Sequence, residues 1–121
     1  TKKILDQNIE LTATCVRIPV LISHAESVNI QFKKPFSIEK VKEALDKADG
    51  CEVYDSREDG GYSTPVEATG KDETFISRIR KDKTNKNTLN LWIVSDNLLR
   101  GAALNSVEIA ETVIKYNLHE K

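Results

Sequence analysis

The stretch TLNLWIVSDNLLRGAALNSVEIAE, residues 88–111, decides the fold of this chain. Its first half carries Leu91, Trp92, Ile93 and Val94 as an unbroken apolar run. Such a run suits a strand covered on both faces, because a half-exposed strand alternates. Asp96 or Asn97 then caps a helix expected to run to about Leu118. Leu99, Ala102, Ala103, Ser106, Ile109, Ala110, Val113 and Ile114 form its apolar stripe. The small residues in that stripe allow a neighbour to approach closely. The helix is also long and apolar for a small sheet, so part of the stripe is expected to cover something other than this sheet.

Working outward, residues 75–80 read as a strand with Phe75, Ser77 and Ile79 on one face, joined to residues 88–94 by a hairpin through KDKTNKN. Residues 27–33 alternate, with Val28, Ile30 and Phe32 inward and Asn29, Gln31 and Lys33 outward, until Pro35 breaks the strand. Ser37 caps a helix with Ile38, Val41, Ala44, Leu45 and Ala48 on one stripe, and Gly50 ends it. Residues 51–55 are a short strand candidate. Residues 11–18 also alternate, with Leu11, Ala13, Cys15 and Arg17 sharing a face, and Pro19 marks the strand's end. Residues 56–74 show no periodicity, and a loop of that length is usually functional or mobile. The order β-β-α-β, loop, β-β-α predicts an α+β fold: a mixed or antiparallel sheet with helices on one face.

Composition sets the outer bounds. The 121 residues, 39% of them apolar, suffice for one domain with a modest core. With 18 basic and 19 acidic residues the chain does not bind polyanions by bulk charge, and a mean hydropathy of −0.43 argues against a membrane protein. Neither nucleic acid nor membrane is therefore an expected partner. Cys15 and Cys51 are too few for a disulfide framework, and no Cys-x-x-Cys pair suggests zinc. The first ten residues lack the apolar core of a signal peptide. A start on Thr1 and the lack of any methionine suggest a segment of something longer, with a trimmed natural start as the alternative.

Three places offer chemistry. In CVRIPVLISHAESVNI, Arg17 ends an apolar face and His24 follows seven residues later. A guanidinium grips a carboxylate through two parallel hydrogen bonds, and an imidazole titrates near neutrality, as general acid–base work requires. The turn at Pro19 would let the two converge from adjacent elements. The plainer reading is a salt-bridged arginine and an ordinary histidine. In SDNLLRGAALN, Asn97 stands at a strand-to-helix junction where free N–H groups and a carboxamide can hold a ligand, and Gly101 suggests close approach. A simple cap with a packing glycine is the alternative. RIRKDKTNK is basic but lacks aromatic residues among its charges, so it reads as a solvated turn. Either cysteine reads as a small buried hydrophobe before it reads as a nucleophile.

The segments ATCVRIPV with its following histidine, GKDETFISRIRKD, and NLWIVSDNLLRGAALNSVEIAE together resemble the C-terminal part of bacterial aspartate-semialdehyde dehydrogenases, in order and over nearly the whole chain. The resemblance implies a phosphate- and NADP-dependent enzyme that interconverts aspartate semialdehyde and aspartyl phosphate, on the route to lysine, threonine, methionine and isoleucine. There a cysteine attacks the aldehyde, hydride leaves for NADP, and phosphate cleaves the thioester. By resemblance Arg17 holds the substrate's α-carboxylate, His24 is the general acid–base, and Asn97 lies near the nicotinamide. Ser23 and Ala25 depart from the commoner Gly-His-Ser context, which alters local backbone freedom.

Neither cysteine matches the nucleophile, and no Gly-x-Gly-x-x-Gly turn is present. The chain alone is thus expected to be inactive and to bind NADP weakly or not at all. The fold implied is the α+β catalytic and dimerisation domain found in glyceraldehyde-phosphate dehydrogenase-like enzymes. Its last helix, about 97–118, would pack on an N-terminal nucleotide-binding domain of the same chain. TKKILD would be the tail of a helix, and loop 56–74 would lie near a subunit interface in a cytoplasmic homodimer or homotetramer. The competing reading is a stand-alone, non-catalytic α+β binding or dimerisation module.

Overall fold

A computed structural model gives the fold and describes residues 1–118. Four strands form one mixed sheet: β1 (His24–Gln31), β2 (Cys51–Val53), β3 (Thr74–Lys81) and β4 (Thr88–Ser95), in the order β1-β4-β3-β2. β4 runs antiparallel to both neighbours, and β2 pairs parallel with β3. The helices are α1 (Ile38–Asp46), α2 (Pro65–Ala68) and α3 (Leu104–Lys115), the last preceded by a π-helical turn over Leu99–Ala103. The α+β class stands, and local signals account for most of it. Ser37 caps α1 by accepting the Lys40 N–H at 3.2 Å. Asp82 builds the hairpin: its Oδ1 accepts the Thr84 hydroxyl and the N–H groups of Thr84 and Asn85, and its Oδ2 accepts the amides of Asn29 and Asn90.

The core sits on the two central strands, as the apolar run of β4 requires. On one face Ile76, Ile79, Leu89 and Leu91 pack with Val28, Ile93 and the α1 residues Ile38, Val41 and Leu45. On the other, Phe75, Val94 and Ala68 of α2 pack with Ala25 and Trp92. Loop 56–64 crosses this second face, where the Trp92 indole N–H donates to the Ser63 carbonyl at 2.8 Å and the Ser63 N–H donates to Ser77 Oγ at 3.1 Å. The loop expected to lack structure is therefore tied down, and it continues into α2 through a capping box between Thr64 and Glu67.

Four expectations fail, each for a physical reason. Ile79 does not share a face with Phe75 and Ser77. A bulge sets Arg78 and Ile79 together between the pairs Ser77–Trp92 and Arg80–Asn90, with Arg78 at φ 55°. The extra residue reverses the alternation and sends Ile79 to the α1 face. Residues 11–18 form no strand: they are irregular and exposed, because alternation alone supplies no partner for the backbone groups. Cys15 lies in this segment and is exposed rather than buried. Ile30 and Phe32 are only about two-thirds covered, at 36% and 37% exposed, because β1 is an edge strand and α1 does not reach its far end.

Candidate functional site

His24 opens β1 and stands opposite Ser95, the last residue of β4. The ends of these two strands therefore meet, and Asn97 lies two residues past the junction. The Asn97 Oδ1 accepts the Ser23 N–H at 2.6 Å, across 74 residues of sequence. Ser23 is buried and holds φ 80°, in the left-handed region that suits glycine. The expectation about backbone freedom at this position thus meets a definite conformation. The Ser23 hydroxyl contacts Thr69 Oγ1 at 3.0 Å. Because Thr69 Oγ1 donates to the Pro65 carbonyl at 2.8 Å, Ser23 must be the donor to Thr69.

Asp96 completes the joint. It is 3% exposed, its Oδ2 accepts the Gly70 N–H at 2.8 Å, and its Oδ1 accepts the N–H groups of Leu98 and Leu99. Of the two candidates it is therefore Asp96 that takes up the free N–H groups at the entry to the π-helical turn, while α3 itself has no side-chain cap. The Gly70 N–H, foremost, and then those of Leu98 and Leu99 hold its carboxyl below the ordinary aspartate value. The Thr84 hydroxyl and N–H, then Asn90 and Asn85, hold Asp82 well below the ordinary aspartate value too. A depressed folded pKa contributes stability above the unfolded value, and that contribution is lost as pH falls toward the folded one. The melting temperature should accordingly be flat above about pH 5 and drop below about pH 4. Thermal melts at several pH values check this, and a flat response down to about pH 2 would contradict it.

The imidazole of His24 is solvent-facing, 63% exposed, with Nε2 3.1 Å from Glu26 Oε1 on the same strand face. This leaves one ring nitrogen to the carboxylate and one to solvent, an arrangement suited to moving a proton. Arg17 lies in the irregular leading segment, exposed and without an ion pair among the described residues. Pro19 does turn the chain, since the Val20 N–H donates to the Ile18 carbonyl at 2.9 Å. His24 and Asn97 are brought to one joint, and Arg17 is not. Cys51 is half-buried at the start of β2. A surface depression of about 400 Å³ around Phe36 and the 81–88 hairpin lies at the far end of β1 and β4. Seven residues of strand separate it from His24, roughly 23 Å.

One residue that sequence reasoning passed over is Arg100. Its Nε donates to the Asp72 carbonyl at 2.9 Å, its Nη1 pairs with Glu108, and its guanidinium lies where a Cβ on Gly50 would fall. Gly50, at φ 73°, is thus favoured for its backbone, and a side chain there would have to displace the Arg100 guanidinium. A single arginine in a helical stretch carries no local signal of such a long-range role. Gly101 behaves differently: a Cβ there would meet only Asn97 Cβ at 3.7 Å, an ordinary contact. Gly101→Ala is expected to raise the melting temperature of this chain, by the equivalent of about 0.5–1 kcal/mol. A lower melting temperature would contradict the open space at that position.

Residues 1–100 match the family described as semialdehyde dehydrogenase, dimerisation domain. The chain is 44% identical over 119 residues to the aspartate-semialdehyde dehydrogenase of Aquifex aeolicus, covering 98% of this chain and 35% of that protein. It is 47% identical over 112 residues to that of Rickettsia typhi, covering 93% and 33%. Among solved structures, aspartate semialdehyde dehydrogenase II of Vibrio cholerae, complexed with ASA, superposes with a TM-score of 0.77 at 39% identity. That match covers 84% of this chain and 30% of the other. The chain spans about a third of the length of the curated relatives it matches.

Proposed function

The chain belongs to the semialdehyde dehydrogenase dimerisation-domain family, and from that premise we propose that it is the substrate-binding and subunit-pairing part of an aspartate-semialdehyde dehydrogenase. The whole enzyme interconverts aspartate semialdehyde and aspartyl phosphate in amino-acid biosynthesis in the cytoplasm, with NADP and phosphate as co-reactants. Arg17 binds the α-carboxylate through its two-pronged guanidinium. His24 moves the proton. Asn97 belongs to the nicotinamide side of the site. The observation that supports this reading most is the joint at the sheet's end, where the Asn97 carboxamide binds the backbone N–H of Ser23, next to His24, across 74 residues of sequence.

The residues of this chain do not form a dinucleotide cradle. No Gly-x-Gly-x-x-Gly turn is present, and the Asn97 carboxamide already spends its oxygen on Ser23. NADP is therefore held chiefly by another part of the enzyme, and the chain alone is inactive. The C-terminal helix supports the same division. Val107, Ile109 and Ile114 are 55%, 55% and 67% exposed, apolar side chains around the helix that a nucleotide-binding domain of the same polypeptide would cover in part. For pairing into a homodimer or homotetramer, the sheet face opposite α1 offers Trp92, Tyr62, Arg78 and Arg80 around an open depression. Loop 56–64 borders it.

Steady-state kinetics of Arg17→Lys in the whole enzyme test the assignment. A point charge replaces a planar fork, so KM for aspartate semialdehyde should rise at least about tenfold with kcat changed far less. An unchanged KM would remove Arg17 from the site.

A further inference from the structure

We infer that Asn97 acts as a positioning residue for His24, through the Ser23 backbone, and that the contact of Asn97 Oδ1 with the Ser23 N–H is its principal task. The inference rests on the catalytic reading of His24 given above. Four observations carry it. The hydrogen bond is short, 2.6 Å, and joins residues 74 apart. Ser23 sits at φ 80°, a conformation that a residue with a Cβ leaves unless its surroundings hold it there. Its side chain is held as well, by donation from the buried Ser23 hydroxyl to Thr69 Oγ1 at 3.0 Å. Finally, the backbone that bears Asn97 is itself fixed, because Asp96 ties it to Gly70 and to the entry of the π-helical turn.

Together these contacts fix the peptide that leads into His24. The imidazole itself is mostly solvent-facing and has only Glu26 as a polar partner among the described residues. Its placement therefore depends on the backbone that carries it more than on side-chain packing. A carboxamide that donates to a cofactor through Nδ2 can still accept from Ser23 through Oδ1, so positioning is separable from cofactor contact.

The test uses the whole enzyme and four variants: Asn97→Ala, Asn97→Asp, Asn97→Ala combined with Ser23→Gly, and His24→Ala. Asn97→Ala should lower kcat by about 100-fold while KM for NADP stays within about threefold, because misplacement of a reacting group by about 1 Å costs that much. Asn97→Asp keeps an acceptor oxygen and loses the amide donor, so it should recover at least about tenfold of the loss. The double variant should recover similarly, since glycine holds a positive φ without an acceptor to brace it. A raised KM for NADP with kcat near the wild-type value, and no recovery in the double variant, would overturn the inference in favour of a direct cofactor contact. Should Asn97→Ala fail to fold, Thr69→Val removes the acceptor of the Ser23 hydroxyl instead. It should lower kcat by about tenfold without raising that KM, and wild-type kinetics would overturn the inference. His24→Ala at the wild-type kcat would remove the catalytic reading itself, a failure distinct from any failure of Asn97.

Discussion

In the whole enzyme proposed above, His24→Ala is expected to lower kcat by roughly 100-fold or more, the usual yield of a positioned general acid–base. The size of the effect follows from where the residue stands. His24 opens an edge strand, its imidazole is 63% exposed, and Glu26 engages only one of its nitrogens. Little packing is lost when such a side chain is truncated, and substitutions of this kind shift stability by no more than about 0.5 kcal/mol. The rate loss should therefore appear without a matching fall in melting temperature. Kinetics and a thermal melt on the same preparation separate the two effects. A kcat within about threefold of the wild type would end the assignment of His24 as the proton-transfer group.

The largest stability effect is expected at Asp55, which takes no part in that chemistry. Its side chain is 1% exposed, and Lys42 Nζ lies 2.6 Å from Oδ2 in a contact too skewed to be a hydrogen bond, so charge attraction carries it. The Oδ1 accepts the Ile79 N–H at 3.3 Å, while Arg57 Nη2 donates to the Ile79 carbonyl at 3.0 Å. Ile79 is the residue that the bulge removes from regular pairing. Asp55 and Arg57 thus replace the two ladder bonds that the bulge forfeits.

Asp55→Ala leaves a part-buried N–H without a partner and an ammonium without its counter-charge, together about 3 kcal/mol. In a domain of this size that lowers the melting temperature by roughly 10 °C. Asp55→Asn retains an acceptor and should cost much less. A melt of Asp55→Ala within about 2 °C of the wild type would show that the bulge does not depend on this residue.

The bulge also marks where reading from sequence stops. Residues 75–80 were legible as a strand, but the face of Ile79 was not. Arg78 takes φ 55° with neither glycine nor asparagine to announce it, and the carboxylate that receives the next N–H comes from 24 residues upstream of Ile79. Residues 11–18 show the opposite error: they alternate well, yet no neighbouring strand is present to accept their backbone groups. In the candidate site, His24 and Asn97 were legible as residue types at a strand start and a helix start. Their connection through Ser23 was not, and Arg100 as a tether to Asp72, lying over Gly50, was not visible at all.

By itself the sequence determined the central strands, the Ser37 cap, the 81–87 hairpin and the α+β class. Each of these follows from hydrophobic period and side-chain-to-backbone bonds acting over a few residues. Only the tertiary structure decided the bulge, the irregular course of the leading segment and the joint at His24. Those depend on hydrogen bonds between groups far apart in the chain, and such a bond has its energy only once packing has brought donor and acceptor together and excluded water.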